Sequence, residues 1–237
     1  MVYIIAEAGI DHEGDPGRLT ALLDAAVKAK VDAFKIQYYA EGFQGAHRQL
    51  PWLPEKYILP LREDCNRYDL QFIITPHDRY AVDFILNTEC ADRVKIGSHD
   101  WDRIQFFTPE SDLIISCGSK CRDEVYSMMM RYRNSDFLYC VSKYPARVGD
   151  IFLREIDDML KVSNLAWRPG HIGYSDHSIG MECCIGAVAK GATIIEKHMT
   201  LERDIEGRND TFCSLLPDEW PVFVDMLRTT AIANQKF

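Results

Sequence analysis

Eight short apolar runs recur along the chain, at residues 2–6, 33–36, 72–74, 94–96, 113–115, 137–140, 171–174 and 193–195. They are rich in Ile, Val and Phe, and nearly continuous in apolar character. That is what a parallel strand shows when both of its faces are buried. Helical spacing fills several of the gaps. Residues 19–29 place Leu22, Leu23, Ala26 and Val27 on one face, and 57–68 carry Leu59, Leu61 and Cys65. Residues 80–86, 155–162 and 181–190 read the same way. Strands alternating with helices predict right-handed βαβ crossovers and a parallel sheet. Eight such units in a chain of 237 residues predict an α/β protein, a (β/α)8 TIM barrel occupying 1–237 as one domain. An open doubly wound sheet would usually carry a Gly-rich turn after its first strand, and Gly9 and Gly14 do not form one. The segment 39–54, with Gly42, Gly45 and Pro51, predicts a long loop at the active face.

Composition narrows the class. A formal net charge of -9 argues against nucleic acid, since phosphate backbones need basic patches. No apolar run reaches the ~20 residues of a membrane helix. The start of the chain lacks a basic region and carries Glu7 inside its apolar run, unlike a signal peptide. A cytoplasmic protein is expected. The eight cysteines, from Cys65 to Cys213, are too sparse for a disulfide scaffold, so buried reduced thiols are expected, Cys117 and Cys121 included.

Polar residues cluster at the strand ends. They are Glu7 on the first strand, Lys35 and Gln37 on the second, and Thr75, His77 and Asp78 after the third. Lys95, Ser98 and Asp100 follow on the fourth, Ser116 on the fifth, and Ser142, Lys143 and Tyr144 on the sixth. Ser175, Asp176 and His177 end the seventh, and Glu196, Lys197 and His198 the eighth. In a barrel all of these converge on one mouth. Lys35 and Lys95 are bracketed by apolar strand residues, and an ammonium buried without an anion is costly. A bound phosphate or carboxylate is the favoured reading over two surface lysines, with Thr75, Ser98, Ser116 and Ser175 completing the site. His177 and His198, on adjacent strands, admit two readings: ligands of a divalent metal with open positions, or packed, hydrogen-bonded histidines.

The motifs resemble those of the sialic-acid synthase family, N-acetylneuraminate synthase and related nonulosonic-acid synthases. The matching pieces are Ile5-Ala6-Glu7-Ala8-Gly9-Ile10-Asp11-His12, Phe34-Lys35-Ile36-Gln37, Thr75-Pro76 and Lys95-Ile96-Gly97-Ser98. Further along stand Cys140-Val141-Ser142-Lys143-Tyr144-Pro145, Gly173-Tyr174-Ser175-Asp176-His177-Ser178-Ile179-Gly180 and Ile195-Glu196-Lys197-His198-Met199-Thr200-Leu201. They occur in family order and the last two are the most specific. The resemblance implies a TIM-barrel transferase that condenses phosphoenolpyruvate with an open-chain amino sugar such as N-acetylmannosamine, in carbohydrate biosynthesis. It implies Mn²⁺ or Mg²⁺ on His177 and His198, and phosphoenolpyruvate on Lys35, Thr75, Lys95, Ser98, Ser116, Ser142 and Ser175. Sugar contacts fall to Gln37, Tyr144 and an Asp after the eighth strand, taken as Asp210. Glu7 and Asp100 are the candidate catalytic carboxylates, beside His177 and His198.

The chain departs from the family's pattern in places. His99-Asp100 follows the fourth-strand Ser where Gly then Glu or Asp is common, and Ser116-Cys117-Gly118-Ser119 replaces Ser-Thr-Gly-Met. His77 stands where an aromatic often follows Thr-Pro, and Arg208-Asn209-Asp210 follows Gly207 where Pro-Asp is usual. Family members carry a small antifreeze-like domain after the barrel, which in a homodimer reaches the partner's site; the expectation is a barrel without it, in a chain that allows a homodimer. Two other readings remain open. One is a phosphoenolpyruvate-dependent synthase acting on a sugar phosphate, for which Arg208 and Lys143 are the spare cations. The other is a non-catalytic ligand-binding barrel.

Overall fold

All eight apolar runs are strands in a computed structural model, which describes residues 1–45, 49–165, 171–203 and 208–234. The strands are β1 (Tyr3–Gly9), β2 (Ala33–Tyr38), β3 (Gln71–Pro76), β4 (Arg93–Ile96), β5 (Leu113–Ser116), β6 (Asp136–Cys140), β7 (Ile172–Asp176) and β8 (Ile194–His198). Each pairs in parallel with the next, and β8 closes onto β1. Several strands outrun the apolar stretches that predicted them. β1 continues to Gly9, β3 to Pro76, β7 to Asp176 and β8 to His198. Apolar character stops early because the inward residues turn polar while the backbone ladder goes on.

The described residues hold seven α-helices: α1 (Pro16–Ala29), α2 (Ile58–Arg67), α3 (Arg79–Thr88), α4 (Arg122–Arg131), α5 (Arg154–Leu165), α6 (Glu182–Ala189) and α7 (Trp220–Ala233). The first is set locally. Asp15 caps it by accepting from Arg18 N at 2.9 Å, Pro16 sits in its first turn, and Lys30 ends it in the left-handed conformation. Between β4 and β5 there is only a 3-10 turn, Trp101–Phe106, so the fourth crossover lacks a full helix. Pro109 lies in this connection and lacks the backbone N–H that a helix running through it would need. None of the helices is long and apolar enough to cross a membrane. All eight cysteines are free and seven are buried, as expected. Cys121 is exposed, because it stands at the solvent-facing N-terminus of α4, where its backbone N–H donates to Glu124.

Alternation along the strands sorts side chains into two sets. One set faces the helices and forms the large core, with Ile4, Phe34, Phe72, Ile115, Phe137 and Ile195 among its members. The other faces into the barrel. There Ile5, Ala33, Ile73, Ile114, Leu138 and Ile194 make a closed apolar plug. Gly173 belongs to that layer, since a Cβ on it would lie 2.5 Å from Leu138 Cδ2 and from the Ile194 carbonyl. Two residues further along each strand the inward positions become Glu7, Lys35, Thr75, Lys95, Ser116, Cys140, Ser175 and Glu196. The next inward positions include Gln37, His77, Ser142, His177 and His198. The barrel is thus an apolar plug under two polar layers, and the polar layers form the mouth.

Candidate active site

Thirteen of the fourteen expected site residues line one cavity of about 250 Å³ at the C-terminal mouth: Glu7, Lys35, Gln37, Thr75, Lys95, Ser98, Asp100, Ser116, Ser142, Tyr144, Ser175, His177 and His198. Asp210 is outside the lining. It lies in the 3-10 turn Asn209–Cys213, close enough for its charge to act on His198. Gly207, just before that segment, falls outside the described residues. So does part of the long loop after β2; of its described residues, Tyr39 is buried and its hydroxyl donates to the Pro51 carbonyl at 2.7 Å.

At the base of the cavity two buried lysines meet two buried carboxylates. Strand register brings them together, since Glu7 pairs with Lys35 on one side and His198 on the other. Lys35 Nζ lies 2.8 Å from Glu7 Oε2 and 3.6 Å from Glu196 Oε2, and donates to Thr75 Oγ1 at 3.0 Å. Lys95 Nζ donates to Glu196 Oε1 at 3.1 Å, and Ser175 Oγ reaches the same oxygen at 2.8 Å. Two ammonium and two carboxylate groups balance, which is how four ionisable side chains at most 3% exposed are tolerated. Burial lowers the Lys35 ammonium's affinity for its proton, and Glu196 and Glu7 more than restore it. Glu196 is held well below the usual carboxylate range: burial opposes ionisation, but Lys35, Lys95 and Ser175 outweigh it. Glu7 moves the other way, raised by burial against the pull of Lys35. Among the described residues Lys95 has no other partner than Glu196, so two of its three protons remain for a ligand.

Glu196 was visible at the end of the eighth run but carried no assigned role, and it is the hinge of this cluster. The missed signal is parity: Ile194, Glu196 and His198 alternate inward, while Lys197 points the other way. Lys197 Nζ lies 2.6 Å from Asp176 Oδ2, both side chains fully buried between barrel and helices.

Above the lysines sits a ring of hydroxyls. Ser98 Oγ is 3.1 Å from Cys140 Sγ, and Ser142 Oγ is buried with no partner among the described residues. An orphaned buried hydroxyl facing a cavity marks a place for a ligand atom. A Cβ on Gly118 would lie 2.3 Å from Ser142 Oγ, 2.6 Å from Cys140 Sγ and 2.8 Å from Ser98 Oγ. Glycine keeps this cradle open.

The other wall is imidazole. His177 Nδ1 lies 2.8 Å from the Val141 carbonyl, so that nitrogen carries the proton and Nε2 is left with its lone pair. Burial and the neighbouring His198 lower the His177 pKa to about 3. Burial lowers His198 to about 4, against the charge of Asp210. The two rings are 5.6 Å apart, and the Tyr144 ring lies 4.1 Å from His177 and 5.8 Å from His198. Two buried, uncharged imidazoles meeting at one cavity fit a divalent ion with positions left for water and substrate.

Known proteins share this architecture. The N-acetylneuraminic acid (sialic acid) synthetase of Leptospira borgpetersenii, solved with citrate, superposes with a TM-score of 0.86 at 30% identity, over 99% of this chain and 85% of that one. The spore coat polysaccharide biosynthesis protein SpsE of Bacillus subtilis is 29% identical over 257 residues, 97% of this chain and 67% of its own length. The N,N'-diacetyllegionaminic acid synthase of Legionella pneumophila is 28% identical over 260 residues, 95% of this chain and 71% of its own. The sequence pattern of the NeuB family matches residues 41–236. A match running from the loop after β2 to the end of α7 is no local likeness: the chain belongs to the NeuB family.

Proposed function

We propose that the chain condenses phosphoenolpyruvate with an open-chain amino sugar, N-acetylmannosamine or a related aldose, to give a nonulosonic acid and phosphate. The observation that carries this reading is the pairing of one anion-holding wall, Lys35 and Lys95 with their hydroxyls, with one wall of neutral imidazoles. Lys95, Ser98, Ser116, Ser142 and Ser175 would hold the phosphate and carboxylate, with Lys35 and Thr75 beneath them. Gln37, Tyr144 and Asp210 would hold the sugar. His177 and His198 would hold Mn²⁺ or Mg²⁺, which supplies Lewis-acid polarisation of the aldehyde.

The steps then follow from charge. The C2=C3 electrons of phosphoenolpyruvate form a bond from C3 to the aldehyde carbon, and the aldehyde oxygen takes up a proton. That proton would come from water, and Glu7, a carboxylate beside Lys35, would stabilise the positive charge that develops at C2. Water adds to the cationic C2 and loses a proton. Burial pushes Asp100 up, but His77, Arg103 and His99 bring it below the usual carboxylate range, so it suits the base. The tetrahedral intermediate collapses to the ketone and releases phosphate by cleavage of the C2–O bond.

An unphosphorylated acceptor is favoured over a sugar phosphate. The two spare cations near the mouth are engaged: Arg208 Nε lies 2.9 Å from Glu13 and Nη1 3.5 Å from Asp11, and Lys143 lies 2.9 Å from Asp150. The test is phosphate release from phosphoenolpyruvate with Mn²⁺ and a panel of free and phosphorylated aldoses. Turnover with free amino sugars is expected. Turnover with phosphorylated sugars alone would select the second reading, and none at all in metal-loaded protein would reject condensation. The cradle gives a separate check. Gly118→Ala should weaken phosphoenolpyruvate binding about tenfold or more in calorimetry, because the methyl group overpacks the hydroxyl ring. Unchanged affinity would remove Ser98 and Ser142 from the anion site.

A further inference from the structure

His77 has no part in the condensation steps, yet it occupies an inward position two residues past Thr75 and lines the cavity. Its Nε2 lies 3.1 Å from Gln37 Oε1, and its Nδ1 lies 3.0 Å from Asp100 Oδ2. The Gln37 amide is oriented independently, since its nitrogen donates to Glu7 Oε1 at 3.3 Å. Its oxygen therefore faces His77. Both ring nitrogens then face acceptors, a carbonyl and a carboxylate. A neutral imidazole has one N–H and satisfies one of them; an imidazolium satisfies both.

Of the charged groups around the ring, Asp100 is the anion that it contacts directly. Asp100 and Arg103 face the ring from the β4–β5 connection, where Arg103 Nη2 donates to the His77 carbonyl at 2.8 Å and its Nε lies 3.9 Å from Asp100. His99, on the same connection, lines the cavity. Glu7 lies beyond Gln37, and the Tyr39 ring is 6.3 Å away. Asp78, the next residue, is turned to the backbone N–H groups of Ala40 and Ala81. Glu7, Gln37, His77 and Asp100 thus form one hydrogen-bonded chain with a member from each of the first four βα units. An amide in its middle relays protons poorly, so the chain acts as a clamp and not as a proton wire.

We propose that His77 is a positioning residue, a doubly protonated ring that donates to Gln37 and to Asp100 at once and holds the acceptor-binding amide and the base carboxylate in one fixed relation. What the clamp serves rests on the condensation reading; the clamp itself is testable without turnover. Asn and Gln separate its two arms. The amide nitrogen of His77→Asn stands about where Nδ1 was and keeps the Asp100 bond. That of His77→Gln stands about where Nε2 was and keeps the Gln37 bond.

The first measurement is nitrogen NMR of protein labelled in its histidine rings, near neutral pH and without substrate, assigned against His77→Asn. Two protonated ring nitrogens on His77 are expected, and Asp100→Asn should remove one of those protons. A single protonated nitrogen in the unsubstituted protein overturns the proposal, whatever the enzyme makes. The second is steady-state kinetics with Mn²⁺. His77→Asn should raise the acceptor KM about tenfold with kcat nearly unchanged, and His77→Gln should lower kcat about tenfold with the acceptor KM nearly unchanged, the range of a hydrogen bond to a charged group. The KM for phosphoenolpyruvate should stay constant in both. Equal losses in every parameter, or none, overturn the proposal. Absence of turnover in the unsubstituted protein would count against condensation, while the NMR result would still decide the clamp.

Discussion

Replacing Lys197 with Met should cost about 3–5 kcal/mol of stability while leaving the cavity's chemistry in place. Lys197 and Asp176 are both fully buried, on the helix-facing side of β8 and β7. Lys197 Nζ donates to Asp176 Oδ2 at 2.6 Å and to the Ser178 carbonyl at 2.5 Å. The other carboxylate oxygen accepts from Tyr174 OH at 2.8 Å, Ser178 N at 2.9 Å and Ser178 Oγ at 2.7 Å. Burial pushes the Asp176 carboxyl up, and Lys197 with the Ser178 donors brings it below the usual range. Without the ammonium, a carboxylate remains in an apolar layer with its neutral donors alone. At this chain length the loss corresponds to a fall in thermal midpoint of roughly 6–20 °C. The double variant Lys197→Met with Asp176→Asn should recover much of it, since no charge is then stranded. A single variant that melts with the unsubstituted protein would show that the pair adds nothing net.

This ion pair also explains what the sequence could reveal and what it could not. In a parallel barrel both faces of every strand are buried, so the eight runs are nearly continuous in apolar character and the strand count is easy to see. The same property hides which parity points inward. Ile194 and Ile195 are equally apolar, one in the plug and one in the helix layer. Glu196-Lys197-His198 therefore read as three polar residues at a strand end, although the middle one faces away from the other two. Gly173 could have broken the tie, because only its position in the crowded plug demands the absence of a side chain. The same parity leads from Lys35 to Gln37 and from Thr75 to His77. The two helices that went unread had different reasons. α4 buries only Val125 and Met129, too few to mark a face. α7 buries Trp220, Phe223, Val224 and Leu227 at helical spacing, but Val222, Met226 and Ile232 are apolar on its exposed side and blur the pattern. Asp210 lies in a turn with no periodicity at all, and only folding brings its charge near His198.

Replacing His198 with Ala should abolish metal-dependent turnover, by roughly a thousandfold or more, with the fold intact. The argument runs from protonation. A cation and a proton compete for the same imidazole lone pair, so a ligand histidine must be neutral at the working pH. His177 and His198, lowered to about 3 and about 4, meet that requirement through burial. The Val141 carbonyl fixes which nitrogen of His177 keeps its proton, 2.8 Å away. Removing His198 leaves one imidazole, too few to hold an ion against water, and Mn²⁺ affinity should fall at least about a hundredfold, more than the loss of an outer partner of a ligand. Phosphoenolpyruvate should still bind, because Lys95, Ser98 and Ser142 line other walls of the cavity. Calorimetry with Mn²⁺ alone and with phosphoenolpyruvate alone separates the two sites, and far-UV circular dichroism checks the fold. Mn²⁺ binding as tight in the variant as in the unsubstituted protein would return His177 and His198 to packed, hydrogen-bonded histidines.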